Sequence, residues 1–259
     1  MKQYADGKIL LETQGPVTTV TINRPEVRNA LDNDAARGLG RALRDFDADE
    51  SQLAAVLTGT GGAFCAGADL KAVADSVEYV AWAGDPEGPT NPTLSKPVIA
   101  AVEGHAVAGG LGIALWCDIR LVDETAVFGV FCRRWGVPMS DGTTVRLPRL
   151  IGAARALDML ITGRGVAADE AIDWGLATRR APKGETRQAA EELAYQIAAF
   201  PQIAMRSDRM SAYRQAGQSL ADAVAEEKEL SQAAKAAEAQ AGAARFAAGE
   251  GRHGDFGKS

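Results

Sequence analysis

The stretch AVEGHAVAGGLGIALWCD, residues 101–118, decides the fold. Its apolar run ends at Gly104, and a turn of small residues then leads into a segment that is compatible with a helix. Because the turn carries almost no side chains, another group can approach its backbone closely. The first turn of the helix directs free N–H groups and a positive dipole end outward. The stretch therefore predicts a place where an anion, or a charge that develops during a reaction, is held.

A second stretch, TGGAFCAGAD at residues 60–69, has the same design. It follows LAAVLTG, a predicted buried strand at 53–59, and Asp69 is placed to cap a short helix. Two backbone N–H groups that come together from separate loops can form an oxyanion hole. Taken alone, however, each loop is better explained as a packing turn.

The rest of the chain predicts a mixed fold. A hairpin is expected over 8–23, a helix over 33–48 capped by Asp32 or Asn33, and a loop over 76–95. A strand is expected over 96–104 and two short strands over 118–129. After Asp141 the segments 184–200 and 219–248, among others, are typical of helices. The order predicts an α/β core over 1–195 and a helical C-terminal subdomain over 196–259.

Composition limits the classes of function. The 259 residues are 46% hydrophobic and 24% charged, as in an ordinary globular protein. A net charge of −6 argues against nucleic acid as the main partner. No apolar run approaches the roughly 20 residues of a membrane span, and the N-terminus lacks the apolar region of a signal peptide. We therefore expect a cytoplasmic protein with no membrane partner, and the scattered cysteines and histidines predict no metal site.

Four segments carry a resemblance to a known family. They are NRPEVRNAL (23–31), TGTGGAFCAGADL (58–70), KPVIAAVEGHAVAGGLGIALWCD (96–118) and FGVFCRRWGVPMSDGTTVRLPRLIG (128–152). In order and spacing, over about residues 8–180, the chain resembles the enoyl-CoA hydratase/isomerase family, or crotonase superfamily. The resemblance implies a spiral of ββα units with a helical C-terminal trimerisation subdomain. It also implies a homotrimer or a hexamer (a dimer of trimers), and an acyl-CoA thioester ligand, with coenzyme A as part of the substrate and no separate cofactor.

The resemblance also assigns site residues. The N–H groups of Ala68 and Gly109 are expected to hold the thioester oxygen as it becomes an enolate. Arg28 is expected to meet the coenzyme A phosphates, which suit a guanidinium, although a solvated loop charge explains it equally well. Asp69 is better explained as a helix cap than as a catalyst. The residues expected along the coenzyme A and acyl path are Glu26, Val27, Arg28, Ala66, Asp69, Leu70, Cys132 and Trp135.

The sequence departs from the family pattern at the two positions that matter for hydration. Hydratases of the family use two glutamates, but Gly112 and Cys132 stand at those positions here. Hydration of an enoyl thioester needs an activated water at C3 and a proton at C2, which is a task for two such groups. We therefore expect isomerase-type or other enolate chemistry. The alternative is an acyl-CoA-binding protein of the same fold with reduced catalysis.

Asp141 is the remaining candidate for proton transfer. It lies in SDGTTVRL ahead of a predicted helix, so capping of that helix is an alternative explanation. Several relatives with isomerase, dehalogenase or ring-closing activity carry a functional aspartate in this loop. The two roles are compatible. His105 and Trp82, by contrast, are expected to be packing residues.

Overall fold

Strands and helices alternate along the part of the chain that the computed structural model describes, residues 1–75, 82, 85–91 and 93–251. The strands are β1 (Lys2–Tyr4), β2 (Ile9–Gln14), β3 (Val17–Ile22), β4 (Ala54–Gly59), β5 (Val98–Val102), β6 (His105–Val107), β7 (Ile119–Val122), β8 (Val127–Gly129), β9 (Gly165–Ala167) and β10 (Arg179–Arg180). The helices are α1 (Asn33–Ala48), α2 (Leu70–Asp75), α3 (Gly109–Trp116), α4 (Thr143–Ile151), α5 (Ala153–Thr162), α6 (Ala168–Asp173), α7 (Thr186–Ala198), α8 (Gln202–Arg214), α9 (Leu220–Ala234) and α10 (Gln240–Ala247).

The main sheet has the strand order β1-β2-β3-β4-β5-β7-β10. The first three strands are antiparallel, which confirms the predicted hairpin, and the strands from β3 to β10 run parallel. Every residue of β3 and β5 is buried, as expected for parallel strands that are covered on both faces. Leu39, Leu43 and Phe46 of α1 belong to the core on one face. Leu193 of α7 packs in the cluster on the other face.

The second sheet corrects the sequence analysis. The turn expected directly after Gly104 is replaced by β6, which pairs in parallel with β8, while β8 pairs antiparallel with β9. Gly104 has φ +55°, so the chain changes direction there and then extends again. Strands β1, β9 and β10 and helix α8 were also not expected. These strands have two or three residues each, so pairing with distant segments determines them more than local propensity does.

The chain forms two compact units, Met1–Ile197 and a second that begins at Ala198. In the second unit α8 packs on α9. The Glu238 carboxylate accepts hydrogen bonds from the N–H groups of Ile203 and Ala204, which have no partner within α8 because they lie in its first turn. The alanine-rich run is helical throughout, because a π-helical turn, Lys235–Ala239, joins α9 to α10.

Among the helices of the described ranges, none is long and apolar enough to cross a bilayer. The expected loop at 76–95 lies partly outside the described residues.

Charged side chains cluster at the N-terminus of helix α1. The Asp32 side chain accepts a hydrogen bond from the Ala35 N–H at 2.8 Å and another from Lys8 Nζ at 2.7 Å. Arg24 Nη2 lies 3.3 Å from the same carboxylate. Burial opposes the charged form of Asp32, but these partners outweigh burial and lower the pKa of Asp32. The predicted cap is thereby confirmed, with Asp32 as the capping residue.

The lowered pKa gives a stability prediction. The ionised Asp32 contributes stability at pH values above the ordinary pKa of aspartate, which is about 4. This contribution is lost as the pH falls through the pKa of Asp32 in the folded state. Asp32→Asn keeps the cap but loses the charge, so it should lower the free energy of unfolding at neutral pH by about 1–2 kcal/mol. Urea unfolding at several pH values should show this difference vanish in acid. Asp34→Asn, at an exposed carboxylate in the same turn, is the control; equal effects of both variants would contradict the assignment.

Candidate active site

The two glycine loops meet at one edge of the main sheet. They follow β4 and β5, which are parallel neighbours, and ligand sites of such sheets form beyond the carboxyl ends of the strands. Cys65 joins the loops, because its N–H donates to the His105 carbonyl at 2.9 Å and its carbonyl accepts from the Val107 N–H at 3.0 Å. A Cβ on Gly67, which has φ +95°, would lie 2.7 Å from the Gly109 nitrogen. Only backbone fits at this crossing.

The segment NRPEVRNAL holds the first loop in place. The Asn29 side chain is buried and donates to the carbonyls of Thr60 at 2.9 Å and Ala63 at 2.6 Å. Leu31 donates its N–H to the Gly67 carbonyl and accepts from the Asp69 N–H. This parallel bridge uses the residues on either side of Ala68 and leaves the Ala68 N–H itself free. Asn29 was not among the predicted site residues.

Two backbone donors therefore face the same space. Among the described residues, no acceptor is found for the N–H of Ala68 or of Gly109. Gly109 is the first residue of α3, where backbone N–H groups have no partner within the helix. The preceding residue, Ala108, has φ 51° and ψ −126°, which a side chain disfavours. Its N–H is held by the Gly129 carbonyl at 2.8 Å, so the strained backbone sets the direction of the Gly109 N–H.

A cavity of about 100 Å³ lies against these donors. Seven of the predicted site residues line it, namely Ala66, Ala68, Leu70, Gly109, Cys132, Trp135 and Asp141. The lining residues that the sequence analysis did not assign to the site are Trp82, Ala108, Phe131, Val137, Pro138, Met139 and Ser140. Most of these residues lie in the same 128–152 segment as Asp141, and that proximity in sequence was the available signal.

The Trp82 ring forms part of the wall beside the second donor. Trp82 is buried, as expected of a packing residue, but it also lines the cavity. A Cβ on Gly109 would overlap its ring, so the glycine lets the indole approach the start of α3. His105 lies outside the lining and packs edge-on against the Phe131 ring, with the ring centroids 6.4 Å apart. It is therefore a packing residue behind the cavity wall.

The other predicted path residues lie outside the cavity lining. Glu26 and Val27 form a 3₁₀ turn, Pro25–Val27, and Arg28 ends it with an exposed side chain. The Arg28 carbonyl accepts from the Ala66 N–H at 3.0 Å, so this turn is adjacent to the lining.

Asp69 also lies outside the cavity lining. Its Oδ2 is 3.0 Å from Arg24 Nη2, and its Oδ1 accepts from the Lys71 N–H at 3.2 Å at the start of α2. Asp69 therefore supports the backbone on the C-terminal side of Ala68 and caps α2, as its sequence position also allowed.

The position of Asp141 is compatible with both roles considered for it. Its side chain lines the cavity, is 3% exposed in total, and accepts from the Thr143 N–H at 2.9 Å at the start of α4. Burial raises the pKa of Asp141, and the hydrogen bonds from Thr143 and the charge of Arg146 oppose the shift without cancelling it. It carries the only carboxylate among the described lining residues. A raised pKa brings a carboxyl group closer to the pH range in which general acid–base catalysis operates.

Cys132 lines the cavity as an uncharged thiol. Its Sγ donates to Met139 Sδ at 3.1 Å. Burial, followed by the nearby charge of Asp141, raises the pKa of Cys132, and the opposing effect of Arg133 is smaller. Arg133 and Arg134 also donate to the carbonyls of Leu160 and Gly163. These arginines therefore do not produce a reactive thiolate.

Comparisons with known proteins agree with this geometry. The family model described as enoyl-CoA hydratase/isomerase matches residues 12–258. A probable enoyl-CoA hydratase of Rhizobium meliloti is 39% identical over 236 residues, which are 90% of this chain and 91% of that protein. A short-chain-enoyl-CoA hydratase of Clostridium acetobutylicum is 34% identical over 211 residues, 80% of this chain and 81% of that protein.

Solved structures show the same relation. The crystal structure of an enoyl-CoA hydratase from Mycobacterium tuberculosis H37Rv has a TM-score of 0.88 and 35% identity, and the match covers 93% of this chain and 96% of that chain. This chain belongs to the enoyl-CoA hydratase/isomerase family. The resemblance drawn from the sequence and the crotonase-like α/β fold are thereby confirmed. Within the described ranges, no three His, Cys, Asp or Glu side chains are arranged to hold a metal ion.

The strain at Ala108 is testable. Ala108→Gly removes the side chain that disfavours φ 51°, so the variant should be more stable by about 1 kcal/mol in thermal or urea unfolding. Ala106→Gly, at a fully buried position two residues earlier in β6, is the matched control and should be destabilising, because it only loses packing and gains chain entropy. If both variants lose stability to the same extent, Ala108 is not strained.

Proposed function

We propose that this protein binds an acyl-CoA thioester in the cavity and stabilises the enolate form of the thioester with the N–H groups of Ala68 and Gly109. The observation that carries the proposal is that these two free donors and one buried carboxylate, Asp141, share one small cavity. Donors that are fixed before the reaction stabilise developing charge without reorganisation, and the cost of losing one is about 100-fold or more in rate. The strained backbone of Ala108 provides this fixation.

Asp141 would be the group that moves the proton. In an isomerase-type reaction, the ionised carboxylate takes a proton from the carbon next to the unsaturated bond, and the electron pair moves to the thioester oxygen as an enolate. The protonated Asp141 then returns the proton to the other end of the conjugated system, which restores the thioester and the carboxylate. One acid–base group is sufficient for this transfer. The uncharged Cys132 would form part of the acyl wall.

The size of the cavity supports a short acyl group. A dry cavity of about 150 Å³ holds a benzene-sized molecule, so the 100 Å³ beside Asp141 suits a chain of a few carbons. The coenzyme A part would leave past Ala66 toward the turn at Arg28. The exposed side chain of Arg28 would meet the phosphates there, because a guanidinium suits phosphate geometry.

A buried carboxylate at the donors favours an enzyme over a binding protein with reduced catalysis. Two named relatives are hydratases, so hydration is the second candidate. A pair of four-carbon probes separates the two reactions. Isomerisation converts 3-butenoyl-CoA into the conjugated thioester and raises its ultraviolet absorbance, whereas hydration of crotonyl-CoA lowers it. Absence of both reactions together with detectable acyl-CoA binding would support the binding protein.

Asp141→Asn tests the proton-transfer role. The amide keeps the size of the side chain and still accepts from the Thr143 N–H, but turnover should fall by roughly 10²–10⁴-fold. The raised pKa places the acid limb of the wild-type rate profile above the ordinary range of aspartate, and the variant should lack this limb. Because the folded-state pKa is raised, ionisation costs stability as the pH rises through it. The variant should therefore be at least as stable as wild type at neutral pH, and wild-type turnover in Asp141→Asn would refute the role.

We also propose that the chain assembles as a homotrimer or a dimer of trimers. Phe200, Leu220 and Phe246 of the second unit are exposed in the single chain, as are Leu157 and Ile161 of α5. Apolar surface of this kind is typical of protein–protein contacts. Light scattering should give a mass three or six times the 27.1 kDa of one chain. A mass of one chain at micromolar concentration would contradict the proposal.

A further inference from the structure

A side chain at position 112 of α3 and the carboxyl group of Asp141 would occupy the same space. Gly112 lies one helical turn after Gly109, on the same side of α3. A Cβ built on Gly112 would lie 2.8 Å from Asp141 Oδ1 and would overlap Cγ and Oδ2 of the same carboxyl group. The whole carboxyl group of Asp141 therefore occupies the place where any side chain at position 112 would begin.

The contacts around both partners restrain them. The Asp141 carboxyl is fixed by the Thr143 N–H, and the Asp141 carbonyl accepts from Arg146 Nη1 at 2.9 Å. On the helix side, Leu111 and Ile113 are fully buried. Gly110 is packed so closely on the Cys65 carbonyl that a Cβ there would overlap it. A side chain at position 112 must therefore displace the carboxyl group or distort α3.

We infer that Gly112 is a positioning residue, because its lack of a side chain leaves the space in which the Asp141 carboxylate lies. A carboxylate can therefore reach the cavity from position 112 of the helix or from position 141 of the loop, but not from both. The steric part of this inference follows from the packing alone. The catalytic part rests on the proposed function of Asp141. The absence of a glutamate at 112 is then a requirement of this site rather than a loss.

A double-mutant cycle on stability tests the steric part. Gly112→Ala should lower the unfolding midpoint by several degrees in the wild-type background. In the Asp141→Ala background the same change should leave the midpoint equal or higher, because the space is then open and alanine favours a helix over glycine. Gly242→Ala in α10, where a new Cβ meets nothing within 4 Å, is the matched control and should act equally in both backgrounds.

The cycle gives a decision even if one variant does not fold. A folded Gly112→Ala/Asp141→Ala protein beside an unfolded Gly112→Ala protein supports the inference. An equal loss of midpoint in both backgrounds, or failure of both proteins to fold, overturns it. None of these outcomes depends on which reaction the protein catalyses.

The catalytic part is tested by moving the carboxylate. Turnover of 3-butenoyl-CoA and crotonyl-CoA is measured for wild type, Asp141→Ala, Gly112→Glu and Gly112→Glu/Asp141→Ala. Gly112→Glu alone should be impaired, because two groups compete for one space. The double variant should exceed Asp141→Ala by at least tenfold on one of the two probes and regain an acid limb in its pH profile. A double variant no better than Asp141→Ala overturns the catalytic part.

These measurements keep the failure of the inference apart from the failure of the proposed function. If Asp141→Ala retains wild-type turnover on both probes, the proposed role of Asp141 is wrong, while the stability cycle still decides the steric relation. If Asp141→Ala loses turnover and the stability effects are additive, the proposed function stands and the inference about Gly112 is wrong.

Discussion

The close approach of two backbones, where the loop after β4 crosses the start of α3, is the constraint on which the rest of the site depends. Cys65 pairs with β6 through two main-chain hydrogen bonds, and Gly67 and Gly110 leave no room for side chains between the segments. This contact places the N–H groups of Ala68 and Gly109 at the same cavity. The surrounding structure holds the crossing fixed: Asn29 holds the first loop through two carbonyls, and the Gly129 carbonyl holds the second at Ala108.

The charged side chains near this crossing form ion pairs with one another outside the cavity. The partly buried charges near the first loop, Lys8, Arg24, Asp32 and Asp69, pair with one another and leave the cavity itself to Asp141. Burial raises the pKa of the Asp141 carboxylate, and the hydrogen bonds from Thr143 and the charge of Arg146 oppose the shift without cancelling it. The neutral thiol of Cys132 preserves this environment. Among the described lining residues, the site therefore combines one carboxylate with two backbone N–H donors.

Much of this arrangement was predictable from the sequence because it depends on local signals. The hairpin, α1 with its Asp32 cap and the strands that precede the two glycine loops follow from alternation, capping and glycine content. Other features depend on contacts between segments far apart in the chain. These are the packing of Trp82 against Gly109, the hydrogen bond from Asn29 to the Ala63 carbonyl, and the overlap of position 112 with Asp141. Strand β6 has three residues and forms only because β8 is available to pair with it. No local pattern carries that information.

The shared space at Gly112 and Asp141 also imposes an order on sequence change. Within this backbone, a loop carboxylate can enter the cavity only after the helix position has lost its side chain. The reverse exchange likewise requires the loop position to become small first. A single substitution cannot carry a functional sequence from one arrangement to the other, so the intermediate sequence has no carboxylate at either place. Because main-chain hydrogen bonds hold the crossing of the two loops, such a chain would still present both amide donors to the cavity without either carboxylate.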